Sequence, residues 1–554
     1  MTKAILYCCD EKIINGDFNE VLSLGISVKL GLLSKGISSQ NIFDVKLPDL
    51  DTKIREKIED GLYSESISDN GTMLYNIAFQ HIQWRFIKYY QYKLRIEILI
   101  LKNKINHFTL SSSKGSDLEF ACLAACINHK IPFVILKGNF SKQSSLLSHL
   151  ATYDLPKKTT KIESIFRILW IFYYRYKGIK TFYETYNNFN IKYPHATSFS
   201  WRRSVCFPGF NLPKFNSFGI NGFINLNTPI ITNHNIKFNT KFWNGLDKND
   251  LKVLESSLYY FLERYKISDI ENLFKSTKFF FKNSKAKRLI LNSDNTCSSR
   301  LLCYAAKAGG LKVDYLPHGL IADWQPLRTG TKFGVDRILA WNKDSNYSFR
   351  NVGKSSDTIS HPSNLIIPKA KKKLPSKLNN LRVLIMPPEW VGLSFLGRPD
   401  CFENDLLEIF KALDKLEIQS AHVKYHNAVP IALKAKEEML TKIKQYSPID
   451  FNIIESNKLT QNLYEKYDLV IMGPTTGILE VSRSSTPFIL FRSSFYSYGI
   501  FSKIKFLLAN NAEELVFQIK NYDNSILDQN CIKLSHSLSK NKLPLSVEHE
   551  NFNL

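Results

Sequence analysis

The stretch Asp468-Leu-Val-Ile-Met-Gly-Pro-Thr-Thr-Gly-Ile-Leu-Glu480 decides the fold. Val470, Ile471 and Met472 form a short apolar run of the kind a parallel sheet buries on both faces. Gly473 and Pro474 mark a turn. Thr475, Thr476 and Gly477 then open a helix, where free backbone N–H groups and two hydroxyls converge on a spot suited to a phosphate oxygen. Glu480 follows about one helical turn on, within reach of a ribose or sugar hydroxyl. The strand Thr486–Arg492 closes a βαβ unit. Threonine is also an ordinary helix N-cap, so the turn alone leaves a structural and a phosphate-binding role level. Its context separates them.

The same rhythm runs upstream. Leu381–Met386 reads as a strand ending at Pro387-Pro388-Glu389-Trp390. An amphipathic helix is predicted from Asp405 to Leu416, with Leu406, Ile409, Phe410 and Leu413 on one face. Ala421–His426 is the next strand, Ala432–Tyr446 a Lys/Glu-rich helix, Phe451–Ile454 a strand and Leu459–Tyr467 a short helix. This alternation argues for a doubly wound parallel sheet. Ligands of such sheets bind beyond the carboxyl ends of the strands. Glu389, Lys424, His426, Thr475 and Thr476 all fall at such ends.

A chain of 554 residues should hold two or three domains. Its net charge of +24 implies an anionic partner: nucleic acid, anionic lipid or a phosphate-bearing substrate. Nine cysteines occur without a CxxC pair, which argues against a zinc ribbon or a redox motif. Cys122 and Cys126 share one face of an apolar helix and read as buried thiols. The odd count, and a Met1 that leads straight into the strand Ala4–Tyr7, fit a reducing cytoplasm. No run of about 20 apolar residues offers a membrane span.

The amino-terminal part also alternates. Ala4–Tyr7, His107–Leu110, Ile131–Leu136, Lys287–Asn292, Lys312–Leu316 and Asp336–Trp341 read as strands, and they are expected to build one sheet from separated pieces of chain. Residues 140–285 between them read as an aromatic, irregular insertion.

Two parallel-sheet domains facing a cleft resemble glycosyltransferases of the GT-B fold. More narrowly, His318-Gly319, the strand after it and the 381–492 module resemble bacterial surface-polysaccharide transferases. That group includes capsule-type Kdo transferases, polysialyltransferases and CDP-glycerol glycerophosphotransferases. Its members often carry a His-Gly turn in the first domain. In the second they carry a His-Pro turn, then Ser/Thr residues opening the helix that meets the donor phosphate. Here the second turn is His426-Asn427, with asparagine in place of proline, and the Ser/Thr pair is Thr475-Thr476. The resemblance implies an α/β fold of two Rossmann-like, doubly wound domains with a helical or irregular insertion in the first. Residues 1–362 would be the acceptor domain, 363–380 a Pro- and Lys-rich linker, 381–525 the nucleotide-sugar domain and 526–554 a tail. It implies transfer of a sugar from a nucleotide-activated donor, CMP- or UDP-linked, to a surface-glycan or lipid-linked acceptor. Glu389, Lys424, His426, Thr475, Thr476, Gly477 and Glu480 would hold the donor. Asp294 is the first candidate base, Asp323 its rival, and His318 positions the base or the acceptor. No DxD motif lies between suitable strands, so no metal and no cofactor is called for.

Two basic–aromatic stretches, Ile82–Arg95 and Lys157–Lys177, have the composition of an interfacial helix on anionic lipid, which would place the protein on the inner face of the plasma membrane. A core helix is the alternative for each. Other functions stay open: a polyol-phosphate transferase or a sugar-nucleotide epimerase on the same fold, an inactive assembly partner, or a nucleic-acid-binding protein. For nucleic acid, no RNP, zinc-finger, P-loop or helix-turn-helix signature is found.

Overall fold

The computed structural model describes residues 2–8, 13–14, 16–45, 47, 57–58, 60–62, 64, 74–112, 117–137, 172, 176, 181–184, 196–199, 240–264, 267–284, 286–291, 297–315, 334–340, 356–358, 369–387, 401–424, 440–441, 443–454, 461–473, 477–492 and 507–539. They form an α/β protein with parallel sheets, and every described strand pair is parallel.

The described strands form three sheets. The first contains β1 (Thr2–Tyr7), β2 (Glu20–Ser23), β3 (Gln40–Asn41), β4 (Ile105–Ser112) and β5 (Phe133–Lys137), in the order β3-β2-β1-β4-β5. The second contains β6 (Thr181–Glu184), β7 (Ala196–Phe199), β8 (Arg288–Leu291), β9 (Lys312–Tyr315), β10 (Arg337–Ala340) and β11 (Ser356–Thr358), in the order β11-β10-β9-β8-β6-β7. The third contains β12 (Val383–Met386), β13 (Ser420–Lys424), β14 (Asp450–Ile454), β15 (Leu469–Met472), β16 (Phe488–Phe491) and β17 (Leu508–Ala509). Its order, β14-β13-β12-β15-β16-β17, is that of a Rossmann domain.

The single amino-terminal sheet expected from sequence is therefore two sheets. β6 and β7, both from within the 140–285 stretch, complete the second one, and β6 pairs directly with β8. The same stretch supplies two regular helices, Lys248–Arg264 and Ile267–Ser284. The two sheets share one hydrophobic core. The helix Leu74–Lys102 runs through it, packing on the helices Asp117–Asn128, Lys248–Arg264 and Cys297–Ala308.

That long helix contains Ile82–Arg95, the first stretch considered for membrane contact. Ile82, Phe86, Tyr89 and Tyr92 are buried in the core, and so are Lys93 and Arg95. The interfacial reading fails here because the lysine has partners far along the chain. Lys93 Nζ donates to Asp250 Oδ1 at 2.8 Å and also to Asp247. Tyr89 donates to Asp250 Oδ1 at 2.9 Å. Burial pulls the Lys93 pKa down, yet the bonds to the two aspartates outweigh it and the net shift is upward. Asp247 also caps the helix Lys248–Arg264, accepting from the N–H groups of Asn249 and Asp250. The second stretch, Lys157–Lys177, lies outside the described residues except for Phe172 and Tyr176, both exposed. Among the described residues no helix is long and apolar enough to cross a membrane.

The third sheet has a core on each face. One is built with the helices Cys401–Lys415 and Ala512–Lys520; the other takes Tyr464, Ile478, Val481, Leu527 and Cys531. The helix Asn524–Ser539 crosses the boundary expected at 525–526 and buries Leu527 and Cys531 in that second core. The outer units touch: the helix Ile26–Leu33 lies against Cys401–Lys415, and Tyr446 Oη donates to Ser34 Oγ at 3.3 Å.

Replacing Lys93 by methionine leaves Asp250 buried without its cation and is expected to destabilise the protein by about 3–5 kcal/mol in chemical denaturation. A loss under about 1 kcal/mol would show that the pair is not needed for the core.

Candidate functional site

Strand order reverses between β12 and β15. Their ladder pairs Val383 with Leu469, Leu384 with Val470, Ile385 with Ile471 and Met386 with Met472. The Gly473 N–H adds one further bond, to the Met386 carbonyl at 2.9 Å. The chain leaves β12 for a helix on one face, Cys401–Lys415, and leaves β15 for a helix on the other, Ile478–Ser482. In a sheet of this topology ligands bind at the carboxyl edge, where two such connections part.

Lys424 ends β13 at this edge. Val423 aligns with Ile385, and Ile385 with Ile471, so Lys424 stands level with Met386, Met472 and Leu490. Ala421 and Val423 point into one core. Alternation sends Lys424 to the opposite face, that of Met472, Ile478 and Val481. β12 separates β13 from β15, which places Lys424 two strand spacings, about 10 Å, from the strand that leads into the Gly477 turn. The lysine is 9% exposed.

Beyond β15, the Val481 N–H donates to the Gly477 carbonyl at 3.1 Å, the first hydrogen bond of the five-residue helix Ile478–Ser482. Glu480 falls within that helix. Glu389, His426, Thr475 and Thr476 lie outside the described residues, as do His318, Asp294 and Asp323. The elements flanking Asp294 are described. β8 ends at Leu291 and the helix Cys297–Ala308 follows; β8 lies beside β6, where the order of the second sheet reverses. Of the sequence candidates, the structure thus brings Lys424, Gly477 and the helix carrying Glu480 to one edge and one face.

Sequence reading missed three further residues at this edge. Arg492, just past β16, is fully buried. Glu403, in the first turn of the helix that follows β12, and Asp405, two residues on, are buried. The helix was expected to begin only at Asp405, so the sequence left Glu403 outside it and gave neither acid a buried place.

The opposite end of the helix Ile478–Ser482 is held by the expected linker. Lys371 Nζ donates to the Val481 and Ser482 carbonyls, each at 3.1 Å, and to the Ser484 carbonyl. It also lies 5.6 Å from the centre of the Phe488 ring. The neighbouring backbone is fixed too: Lys371 N–H donates to Asp528 Oδ1 at 3.1 Å and Lys372 N–H to the Ser485 carbonyl at 2.8 Å. Burial lowers the Lys371 pKa, with Cys531 and Asp528 acting against it. Residues 369–372 are therefore a strap on the third unit, not a free spacer.

Among the described residues no cluster of His, Cys, Asp or Glu is arranged to hold a metal ion. Cys122 and Cys126 are buried, as expected. Burial is the main cause that raises both thiol pKa values, that of Cys126 to about 12, which makes them unreactive at neutral pH.

No protein-family model matches the sequence, and no curated protein matches it. Solved structures align over about half of the chain. A glycosyltransferase from Rickettsia africae matches at 15% identity and a TM-score of 0.34, covering 53% of this chain and 87% of its own. Anabaena Alr3699/HepE, in complex with UDP-glucose, matches at 11% identity and 0.35, covering 54% and 88%. A UDP-forming α,α-trehalose-phosphate synthase from Burkholderia xenovorans matches at 12% and 0.34, covering 53% and 80%. Scores this low leave the function of this chain to its own residues.

Substituting Lys424 by methionine keeps the stem and removes the charge. If Lys424 meets a ligand phosphate, the variant loses about 10- to 100-fold in nucleotide affinity, the equivalent of one charge-assisted bond, and melts close to the wild type. Unchanged affinity with a large drop in melting temperature would make it a structural lysine.

Proposed function

We propose that this protein is a glycosyltransferase that moves a sugar from a nucleotide-activated donor, CMP- or UDP-linked, to a surface-glycan or lipid-linked acceptor without a metal ion. The observation that carries the reading is the carboxyl edge of the third sheet. A Rossmann strand order puts a buried lysine and a glycine-opened helix at one edge and on one face of that sheet. A phosphate is the anion that such an edge suits.

In this reading Lys424, His426 and the backbone at Thr475–Gly477 stabilise the charge that grows on the departing phosphate. Glu480 and Glu389 hold donor hydroxyls. Asp294, beyond β8, takes the proton of the attacking acceptor hydroxyl, with Asp323 as rival, and His318 orients one or the other. The bond formed joins acceptor oxygen to anomeric carbon. The bond broken joins that carbon to the donor phosphate, which leaves with the nucleotide. The mixed basic and aromatic residues of Lys157–Lys177 are the part of the chain that would bring the enzyme to a lipid-linked acceptor at a membrane surface.

Thermal-shift measurements with CMP, CDP, UDP and GDP test the donor side. A nucleotide present at 100 times its Kd stabilises the folded state by about 2.7 kcal/mol. The double substitution Thr475→Ala and Thr476→Ala should abolish that shift, while loss of a cap alone costs only about 0.5–2 kcal/mol. A wild-type protein that no nucleotide or nucleotide sugar stabilises, but that binds nucleic acid in a salt-dependent manner, would instead be a nucleic-acid-binding protein.

The acceptor side is tested separately. Asp294→Asn should abolish transfer with donor affinity near that of the wild type, because the donor is held by the other sheet, and Asp323→Asn should have the smaller effect. The reverse order would assign the base to Asp323; near-normal transfer in both would remove it from this unit.

A further inference from the structure

We infer that Lys371 is a positioning residue for the ligand-side turn at Gly477: its ammonium fastens the carboxyl end of the helix Ile478–Ser482, and through that helix it fixes where the opposite end stands. The inference rests on the donor site proposed above and adds a residue from the segment that joins the two halves of the chain.

The helix has five residues, so its ends are about 7.5 Å apart. One residue, Val481, bonds to both ends through the two peptide groups that flank it. The Val481 N–H donates to the Gly477 carbonyl at 3.1 Å, while the Val481 carbonyl accepts from Lys371 Nζ at 3.1 Å. A helix this short does not hold itself together in water. Ile478 and Val481 anchor one side of it in the core. Its last carbonyls carry the negative end of the helix dipole, and a cation is the group that satisfies them. Lys371 supplies that cation from outside the helix, 110 residues earlier in sequence. Asp528 and Ser485 hold the backbone from which the lysine reaches. Movement of residues 369–372 is thus transmitted to the turn that faces the crevice.

The test uses the full chain with Lys371→Met, which keeps the stem, and Lys371→Arg, which keeps the charge. Amide hydrogen exchange and donor binding are both read. Faster exchange at 477–484, with β12 and β15 unchanged, and donor affinity about 5- to 30-fold weaker in K371M, both largely restored in K371R, are the expected results. In turnover, the donor KM rises and kcat at saturating donor stays near that of the wild type. Exchange at 477–484 equal to the wild type, or unchanged donor affinity in a folded K371M protein, overturns the inference. If K371M does not fold, Asp528→Ala takes its place: it releases the Lys371 backbone N–H and removes a nearby carboxylate while keeping the ammonium, and should give the same pattern at smaller amplitude, whereas no change in the turn counts against the inference. A wild-type protein that binds no nucleotide sugar defeats the donor reading instead. The exchange comparison then still decides whether Lys371 sets the turn.

Discussion

The parallel pairing of β12 with β15 is the constraint on which the third unit depends. These two strands are neighbours in space and separated by two complete βα units in sequence. Once they pair, the right-handed crossover rule sends the chain after β12 to one face and the chain after β15 to the other. Both faces must then be apolar. Val383 and Ile385 supply one core and Leu384 the other; Leu469 and Ile471 against Val470 and Met472 repeat the division.

Two buried lysines of this protein, Lys93 and Lys371, follow one rule. In the shared core of the first two sheets, Lys93 sits between Asp247 and Asp250, and the cap of the helix Lys248–Arg264 uses the same carboxylates. Every member of that group has a structural partner, and the cluster joins helices distant in sequence. Lys371 obeys the same rule with carbonyls in place of carboxylates. Both lysines are anchors whose cost of desolvation is offset by fixed acceptors.

Much of the third unit was legible in the sequence because its signals are local. The apolar runs at 383–386 and 469–472, the Gly473 turn and the 3.6-residue period of Leu406, Ile409, Phe410 and Leu413 each lie within one element. The division of the amino-terminal strands into two sheets was not legible. β6 joins β8 across more than a hundred residues, and nothing in Thr181–Glu184 names its neighbour. The Ile82–Arg95 helix was left between two readings for a related reason: basic and aromatic residues describe a membrane-surface helix and a core helix equally well until Asp247 and Asp250 are placed beside Lys93. Lys371, within a run of lysines between prolines, carries no mark that separates it from solvated neighbours such as Lys372 and Lys373.

The two edges of the third sheet differ in how they treat charge, and the difference bears on where the chemistry lies. At the amino edge the ion pairs are mostly exposed and self-sufficient. Arg382 grips Asp468 with two donors, at 2.8 and 3.0 Å, and Lys444 pairs with Asp450 at 2.9 Å. The bond from Arg382 holds the Asp468 pKa below its ordinary value, so the stability this pair adds is present at neutral pH and is lost as the pH falls through that lowered value. At the carboxyl edge Lys424, Arg492, Glu403 and Asp405 are all buried or nearly so. A fold gains little stability from ionisable groups placed there, since surface pairs serve solubility at far lower cost. The sheet thus divides its charge: at the amino edge exposed pairs hold strands in place, and at the carboxyl edge ionisable side chains are taken out of water.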